Sequence, residues 1–133
     1  MVKDGQLIYV ELKSGQSDRG PAWITRARVS KSGRTVYFNG RALKSLFGSG
    51  VYANYVCMET GDEFWVSGVK VRGGDRHWAG GGPVMVDARV LDDYLRFRGL
   101  PALDPATYPV IHDIVDTDVS KLSELENRPG GLR

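Results

Sequence analysis

Cysteine is scarce in this chain, because Cys57 is the only one among 133 residues. One cysteine cannot form an intramolecular disulfide, so the sequence excludes a disulfide-stabilised secreted scaffold and predicts a protein of the reducing cytoplasm. Histidine is also scarce: His77 and His112 lie far apart, and no Cys-x-x-Cys or His-x-x-x-His spacing occurs. We therefore predict no metal site. The glycine clusters contain no phosphate-loop motif and no dinucleotide fingerprint, so no bound cofactor is expected.

Long hydrophobic runs are missing as well. The longest uncharged stretch, residues 45–58, is interrupted by glycine, serine and asparagine, and it is shorter than the roughly 18–20 apolar residues that a membrane helix needs. No membrane span is predicted. The remaining composition, 41% hydrophobic and 26% charged, is that of an ordinary globular domain. We place one β-rich domain at residues 1–126 and expect residues 127–133, which contain proline and glycine, to form a flexible tail.

Short alternating segments separated by glycine turns dominate the first two thirds of the chain. Residues 6–13 alternate apolar and polar side chains, as a strand with one buried face does. Residues 22–39 predict a β-hairpin that turns at Gly33, and residues 51–70 predict a second hairpin. Residues 41–47 fit a short strand or a helical turn. The sequence therefore predicts a mainly β fold, either a single curved antiparallel sheet or a small barrel or sandwich.

The apolar spacing becomes helical after a last short strand. Asp87 is a good N-cap, and Gly99 stands at the usual C-terminal stop. We therefore expect one helix at about residues 87–98. Residues 108–115 predict an edge strand because they include a proline, and Asp118 is placed to cap a short C-terminal helix.

Acidic side chains are absent from residues 19–58, which carry seven Lys or Arg residues. The net charge of the chain is only +2, because the −3 of residues 81–133 offsets the +5 of residues 1–80. A basic face interleaved with aromatic side chains is typical of a surface that holds phosphates and stacks bases. A surface for an acidic protein has the same composition, and so does a basic face that only water contacts.

Our first hypothesis is a non-enzymatic binding protein whose basic β face, about residues 19–58, contacts an anionic partner, with nucleic acid slightly ahead of protein. The alternation puts two arginines on one face of their strand, and the hairpin turn adds further cations. The expected phosphate contacts are Arg26, Arg28, Lys31 and Arg34, and the expected base-stacking side chains are Tyr37 and Tyr52.

An acid, a guanidinium, an imidazole and an indole follow one another at residues 75–78, between two glycine turns. We add Arg76 and His77 to the candidate binding residues, because such a loop can hold a phosphate or a base. The alternative is that Asp75 and Arg76 form a local ion pair.

Two other functions remain open. One is a protein that regulates or neutralises a partner protein, as a toxin-immunity protein does. The other is a small nuclease-like hydrolase in which His77 works with Glu63 or Tyr55. The sequence shows no placed carboxylate pair and no nucleophile with a nearby histidine, so we assign no catalytic residue.

Several stretches resemble a family of small, uncharacterised bacterial proteins. The likeness covers most of residues 7–95 and is carried by YVELKSG (9–15), GPAWI (20–24), SKSGRTVYFNG (30–40), ETGDEFWVSGVK (59–70) and DRHWAGGG (75–82). The resemblance implies no catalytic residue and no ligand. Some members carry the label 1-deoxy-D-xylulose-5-phosphate synthase. Thiamine-dependent enzymes of that kind need several large α/β domains and a Gly-Asp-Gly cofactor motif, both of which this chain lacks, so we do not expect that activity.

Overall fold

The computed structural model of this chain describes residues 2–15, 19–46, 53–76 and 82–119. In these ranges the protein forms one curled sheet of nine strands, a half-barrel, with a single short helix. The mainly β fold with one helix is therefore confirmed. The strands in chain order are β1 (Leu7–Leu12), β2 (Ala22–Arg26), β3 (Arg28–Val29), β4 (Thr35–Phe38), β5 (Arg41–Ser45), β6 (Tyr55–Cys57), β7 (Glu63–Gly68), β8 (Met85–Asp87) and β9 (Val110–Ile111).

The curl of the sheet follows from a bend between β2 and β3. The order across the sheet is β3-β4-β5-β6-β7-β1-β2-β8-β9, so β3 forms one edge although only Ala27 separates it from β2. Ala27 N–H donates to Gln6 O at 2.8 Å, and Gly5 N–H donates to Ala27 O at 2.9 Å. β2 and β3 therefore form one bent stretch of chain that contributes strands to two distant positions in the sheet. The contacts at Ala27 bring the β3 edge toward β1.

The hairpin predicted at residues 51–70 is present. Of the one predicted at residues 22–39, only residues 28–38 form a hairpin, because the chain bends at Ala27 and β2 pairs with β1 and β8 instead. β3 pairs antiparallel with β4, and β6 pairs antiparallel with β7. Residues 41–47, for which the sequence allows a strand or a helical turn, contain the strand β5. The turn from β4 to β5 is Asn39 and Gly40, with φ of 47° and 77°. Positive φ at both central residues is the geometry that matches the twist of paired strands.

The sheet is antiparallel except at one edge. β8 runs parallel to β2, with Val86 opposite Ile24, and β9 runs parallel to β8, with Val110 opposite Val86. Parallel neighbours need a crossover connection, and the helix lies in the one between β8 and β9. The edge strand predicted within residues 108–115 is β9, the last strand of the sheet.

The helix forms where the sequence predicts it. A 3₁₀ turn at Ala88–Val90 leads into α1 at Leu91–Arg98. Asp87 caps this start, because its Oδ1 accepts a hydrogen bond from Arg89 N at 3.0 Å. Gly99 adopts φ of 68° and ends the helix, since this left-handed conformation costs glycine little.

Apolar side chains are buried on both faces of the curled sheet. The inner core contains Ile8 and Val10 from β1, whereas the outer core, which α1 covers, contains Tyr9 from the same strand and Tyr94 from the helix. The prediction that β1 has one buried face is therefore wrong. The outer face of β1, which carries Tyr9 and Glu11, is buried as well, because the outer core packs against it.

Two predicted features lie outside the described residues. They are the C-terminal helix that Asp118 would cap, beyond residue 119, and the flexible tail at residues 127–133. Within the part of the chain that the structure describes, no helix has the length and hydropathy to cross a membrane.

Candidate functional site

The hairpin of β3 and β4 presents three of the predicted cations to solvent, namely Arg28, Lys31 and Arg34. Its turn is closed by Ser30 N–H, which donates to Thr35 O, and by Gly33 N–H, which donates to Ser30 O, both at 2.9 Å. Gly33 adopts φ of 77° in this turn, a conformation that suits glycine. Arg28 and Lys31 form no ion pair with any residue of the described ranges.

Arg26 differs from Arg28 and Lys31 because it already has a carboxylate partner. Its guanidinium forms an ion pair with Asp93 of α1 and donates a hydrogen bond to Gly5 O at 2.9 Å. Leu7, which lies opposite Arg26 in the sheet, packs against the outer core, so Arg26 stands on the face that the helix covers. The positive charge of residues 19–58 is therefore partly neutralised by Asp93, which lies 67 positions after Arg26 in the chain.

A cleft of about 300 Å³ brings Arg26 and Arg28 together and adds Arg89. The Nη2 atom of Arg89 lies 2.9 Å from Asp87 Oδ2, and its Nη1 atom lies 3.1 Å from Asp116 Oδ1. Of the three guanidinium groups in this cleft, only that of Arg28 has no carboxylate partner among the described residues. Charge counting along the sequence misses Arg89, because it belongs to the acidic part of the chain.

The carboxyl group of Asp87 is buried next to this cleft. Burial alone would raise its pKa, but hydrogen bonds from Arg89 and from Thr25 Oγ1, the latter at 2.7 Å, outweigh burial and lower the pKa below its ordinary value. The hydrogen bonds to Asp87 and Asp116 raise the pKa of the Arg89 guanidinium, which stays charged.

Replacing Asp87 with Asn is expected to lower the free energy of unfolding at pH 7 by about 2 kcal/mol, because charge-assisted hydrogen bonds are removed. A carboxyl whose pKa is lower in the folded state stabilises the fold above its unfolded pKa of about 3.9, and this contribution is lost as the pH falls through the folded pKa. Urea unfolding should therefore show a difference between wild type and Asp87→Asn that shrinks below about pH 4.

The exposed Asp113→Asn variant is the matched control for Asp87→Asn, and we expect it to change stability by less than about 0.5 kcal/mol at either pH. A deficit in Asp87→Asn that stayed constant down to about pH 2 would mean that the ionised carboxylate is not what stabilises this part of the fold.

The aromatic side chains of the basic segment are partly enclosed. Tyr37 is half-buried and packs against Ala42 and Met58. Trp23 is also half-buried, and its ring centroid lies 5.0 Å from that of Phe38 at an interplanar angle of 59°. The other predicted stacking residue, Tyr52, lies outside the described residues, as does His77.

Asp75 and Arg76 have different partners, so the expected local ion pair between them does not form. Asp75 is buried, its Oδ2 accepts a hydrogen bond from Tyr94 Oη, and its Oδ1 accepts one from Lys70 N at 3.2 Å. Arg98 Nη1 lies 3.7 Å from the same Oδ2. Burial and the hydrogen bond to Asp75 raise the pKa of Tyr94 well above its ordinary value, so this phenol stays neutral and donates.

Arg76 contacts a second buried polar group at the end of β1. Its Nη1 lies 3.7 Å from Glu11 Oε2. Glu11 accepts a hydrogen bond from Tyr9 Oη and forms an ion pair with Lys13 in which Nζ and Oε2 are 2.9 Å apart. Glu11 and Lys13 are both fully buried, which is unusual for charged side chains unless they are paired.

Glu11 and Lys13 were not among the residues that the sequence singled out. The signal in the sequence was their two-residue spacing, since alternate residues of a strand share a face and opposite charges at that spacing can pair. That signal becomes informative only when both faces of the strand are known to be covered.

The residues named for a hydrolase do not converge within the described ranges. Tyr55 lies in the inner core, where burial raises its pKa. Phe64 also lies in the inner core, so its neighbour Glu63 points to the opposite face of the sheet. His77 lies outside the described residues. Among the residues that the structure describes, no group of three or more His, Cys, Asp or Glu side chains is placed to hold a metal ion.

Comparison with protein-family models, with curated proteins and with solved structures gave no significant match.

Proposed function

We propose that this protein is a non-enzymatic binding protein whose β3–β4 hairpin contacts an anionic partner, and that the partner is nucleic acid. The observation that carries the proposal is the exposure of Arg28, Lys31 and Arg34 on one short hairpin. Arg28 and Lys31 have no carboxylate partner in the described ranges, so their charges are not neutralised by the described part of the protein itself.

Two carboxylates that approach the basic segment pair with cations other than Arg28 and Lys31, and a third, Asp4, accepts a hydrogen bond from Val29 N at 2.9 Å. Asp93 pairs with Arg26, and Asp62 lies 3.9 Å from Arg41. Arg28 and Lys31 are therefore the hairpin cations that we propose an external phosphate neutralises. Lys and Arg side chains that contact phosphates release condensed counterions from nucleic acid, and this release dominates sequence-independent binding.

The half-buried Tyr37 bears on the kind of nucleic-acid contact. Its packing against Ala42 and Met58 limits its use as a stacking platform, so the proposed contacts are to the phosphate backbone and carry no base specificity. The same observation favours the second candidate, an acidic protein partner of the regulatory or immunity type, because a protein surface needs no stacked aromatic ring.

The test is fluorescence anisotropy of labelled single-stranded and duplex DNA and RNA at about 50 and 200 mM salt. We expect the wild-type protein to bind at least one of these probes near physiological salt. Replacing Arg28 and Lys31 with Ser should weaken binding about tenfold or more. The same change should reduce the slope of log affinity against log salt by about 2, because each of the two side chains neutralises one phosphate and accounts for about one unit of slope.

The matched control replaces Lys3 and Arg72, which are exposed outside the hairpin, with Ser. It removes the same charge and should leave the salt slope close to that of the wild-type protein. Equal weakening by the two double variants would contradict a hairpin site. If the wild-type protein bound none of the probes near physiological salt, nucleic acid would be excluded in favour of the acidic protein partner.

A further inference from the structure

Arg89, in the 3₁₀ turn before α1, forms ion pairs with two carboxylates that differ in exposure. Its Nε atom lies 3.1 Å from Asp87 Oδ1, and its Nη2 atom lies 2.9 Å from Asp87 Oδ2. Its Nη1 atom lies 3.1 Å from Asp116 Oδ1. The side chain of Asp87 is 3% exposed, whereas those of Arg89 and Asp116 are 54% and 67% exposed. The buried carboxylate therefore orients the guanidinium, and Nη1 meets its partner at the protein surface.

Asp116 belongs to a segment, residues 112–117, that we call the strap. The strap follows β9 and reaches the turn between β4 and β5, where Val115 N–H donates to Asn39 Oδ1 at 3.1 Å. Thr117 Oγ1 donates to Arg41 O at 2.9 Å. These two hydrogen bonds lie on either side of Asp116 in the chain. The strap therefore keeps the carboxylate close to the guanidinium even when the ion pair itself opens, which gives Asp116 a high effective concentration at Nη1.

The ion pair between Arg89 and Asp116 borders the cleft of about 300 Å³ that Arg28 also lines. Arg28 is exposed and has no carboxylate partner among the described residues. The cleft thus contains one arginine with no carboxylate and a second arginine whose Nη1 atom is held by an exposed carboxylate. Both arginine side chains are accessible from solvent, so an anion can approach them without displacing a buried group.

The contact between Asp116 and Arg89 is one that a phosphate group can replace. Ion pairs between exposed side chains contribute little to stability, because water competes for both groups, so the carboxylate leaves Nη1 at low cost. Its departure requires rotation of an exposed side chain and no movement of the sheet. Arginine donates charge-assisted hydrogen bonds to phosphate as it does to carboxylate. An oxygen of a backbone phosphate therefore fits the position that Asp116 Oδ1 occupies.

We propose that Arg89 is a further phosphate contact of the nucleic-acid surface, and that Asp116 is an internal competitor that occupies this contact until nucleic acid displaces it. This role of Arg89 rests on the proposed function and extends the binding surface from the hairpin to the start of α1. Asp87 keeps its contacts with Nε and Nη2 throughout, so the buried carboxylate stays paired. Because one anion must replace another at Nη1, Asp116 lowers the affinity of the wild-type protein for nucleic acid.

Asp116→Asn is the test of this role, because it removes the competing charge but keeps the size of the side chain at an exposed position. We expect the variant to bind labelled DNA or RNA, single-stranded or duplex, at least about threefold more tightly than the wild-type protein at about 150 mM salt. Fluorescence anisotropy measures the difference. If Asp116 served only to anchor the strap, its replacement would weaken binding or leave it unchanged.

Asp113→Asn is the matched control, since it removes the same charge from another exposed position of the strap. Asp113 does not line the cleft. We expect the control to change the affinity by less than about 1.5-fold, because salt at this concentration screens interactions between exposed charges beyond about 8 Å.

A double variant shows whether the gain acts through Arg89. Arg89→Lys keeps a positive charge next to Asp87 but removes the Nη1 donor, so adding Asp116→Asn to it should raise the affinity by less than about 1.5-fold. An equal gain with and without Arg89→Lys would assign the effect to net charge and contradict the proposed contact. Should Arg89→Lys fail to fold, the comparison of Asp116→Asn with Asp113→Asn decides.

The role of Arg89 and the proposed function can fail separately. If the wild-type protein binds nucleic acid and the two Asp→Asn variants bind with equal affinity, Asp116 is not a competitor and only the role of Arg89 is wrong. If the wild-type protein binds none of the probes, the nucleic-acid function and the role of Arg89 are both wrong.

Discussion

Replacing Glu11 with Gln is expected to lower the free energy of unfolding by about 3–5 kcal/mol, because removal of one partner of a buried ion pair is strongly destabilising. Lys13 is fully buried beside Glu11, and Arg76 approaches the same carboxylate. A loss of this size is a large share of the roughly 5–15 kcal/mol that stabilises a typical domain. Equilibrium unfolding in urea, followed by tryptophan fluorescence, measures it.

Glu63→Gln is the control for Glu11→Gln, since it makes the same chemical change at an exposed position of the adjacent strand β7. We expect its effect to stay below about 0.5 kcal/mol. The double variant Glu11→Gln/Lys13→Met should recover part of the loss, because it removes the lysine charge that the single variant leaves buried. The charge-pair argument fails if Glu11→Gln costs no more than Glu63→Gln.

The burial of Glu11 shows which part of the fold local sequence patterns do not determine. The alternation along β1 correctly predicts a strand, and it also predicts that the polar face meets water. That inference assumes one solvated face, but the outer core, which includes α1, packs against the outer face of β1. The position of a strand within a sheet depends on pairings between distant residues, which one sequence determines weakly.

Local sequence signals predicted the structure well where it depends on interactions between residues that are close in sequence. Asn39 and Gly40 are an Asn-Gly pair, which is typical of hairpin turns, and both adopt the positive φ that the turn between β4 and β5 requires. Asp87 and Gly99 bound the helical region at the expected positions, because capping depends on hydrogen bonds within a few residues. The strands β8 and β9 had such signals, but their parallel pairing did not, since it depends on how the crossover helix packs.

The candidate binding residues show the same difference between what local sequence determines and what distant contacts determine. The hairpin that carries Arg28, Lys31 and Arg34 was predicted from its own alternation and turn. The pairing of Arg26 with Asp93 was not, because 67 positions separate the two residues. Charge runs in a sequence thus identify cations but not their neutralising partners.

Tyr94→Ala is expected to lower the free energy of unfolding by about 3–5 kcal/mol, as truncation of a buried aromatic side chain leaves a cavity. Tyr94 is fully buried, and its ring joins α1 to the outer core, where its centroid lies 6.1 Å from that of Tyr108. Tyr94→Phe keeps the ring and should cost only about 1–2 kcal/mol, because it deprives Asp75 of one hydrogen bond. Urea unfolding of both variants separates the two contributions.

The dependence of stability on pH in the alkaline range separates the contribution of the Tyr94 hydroxyl from that of its ring. Burial and the contact with Asp75 raise the pKa of Tyr94, so the neutral phenol is favoured in the folded state. Its stabilising contribution is complete below the unfolded pKa of about 10 and declines as the pH rises through the folded pKa. Wild type should therefore lose more stability than Tyr94→Phe above about pH 10. Parallel curves for the two proteins would show that the Tyr94 hydroxyl is not held in a buried contact with Asp75, and α1 would then depend on the aromatic ring alone for its attachment.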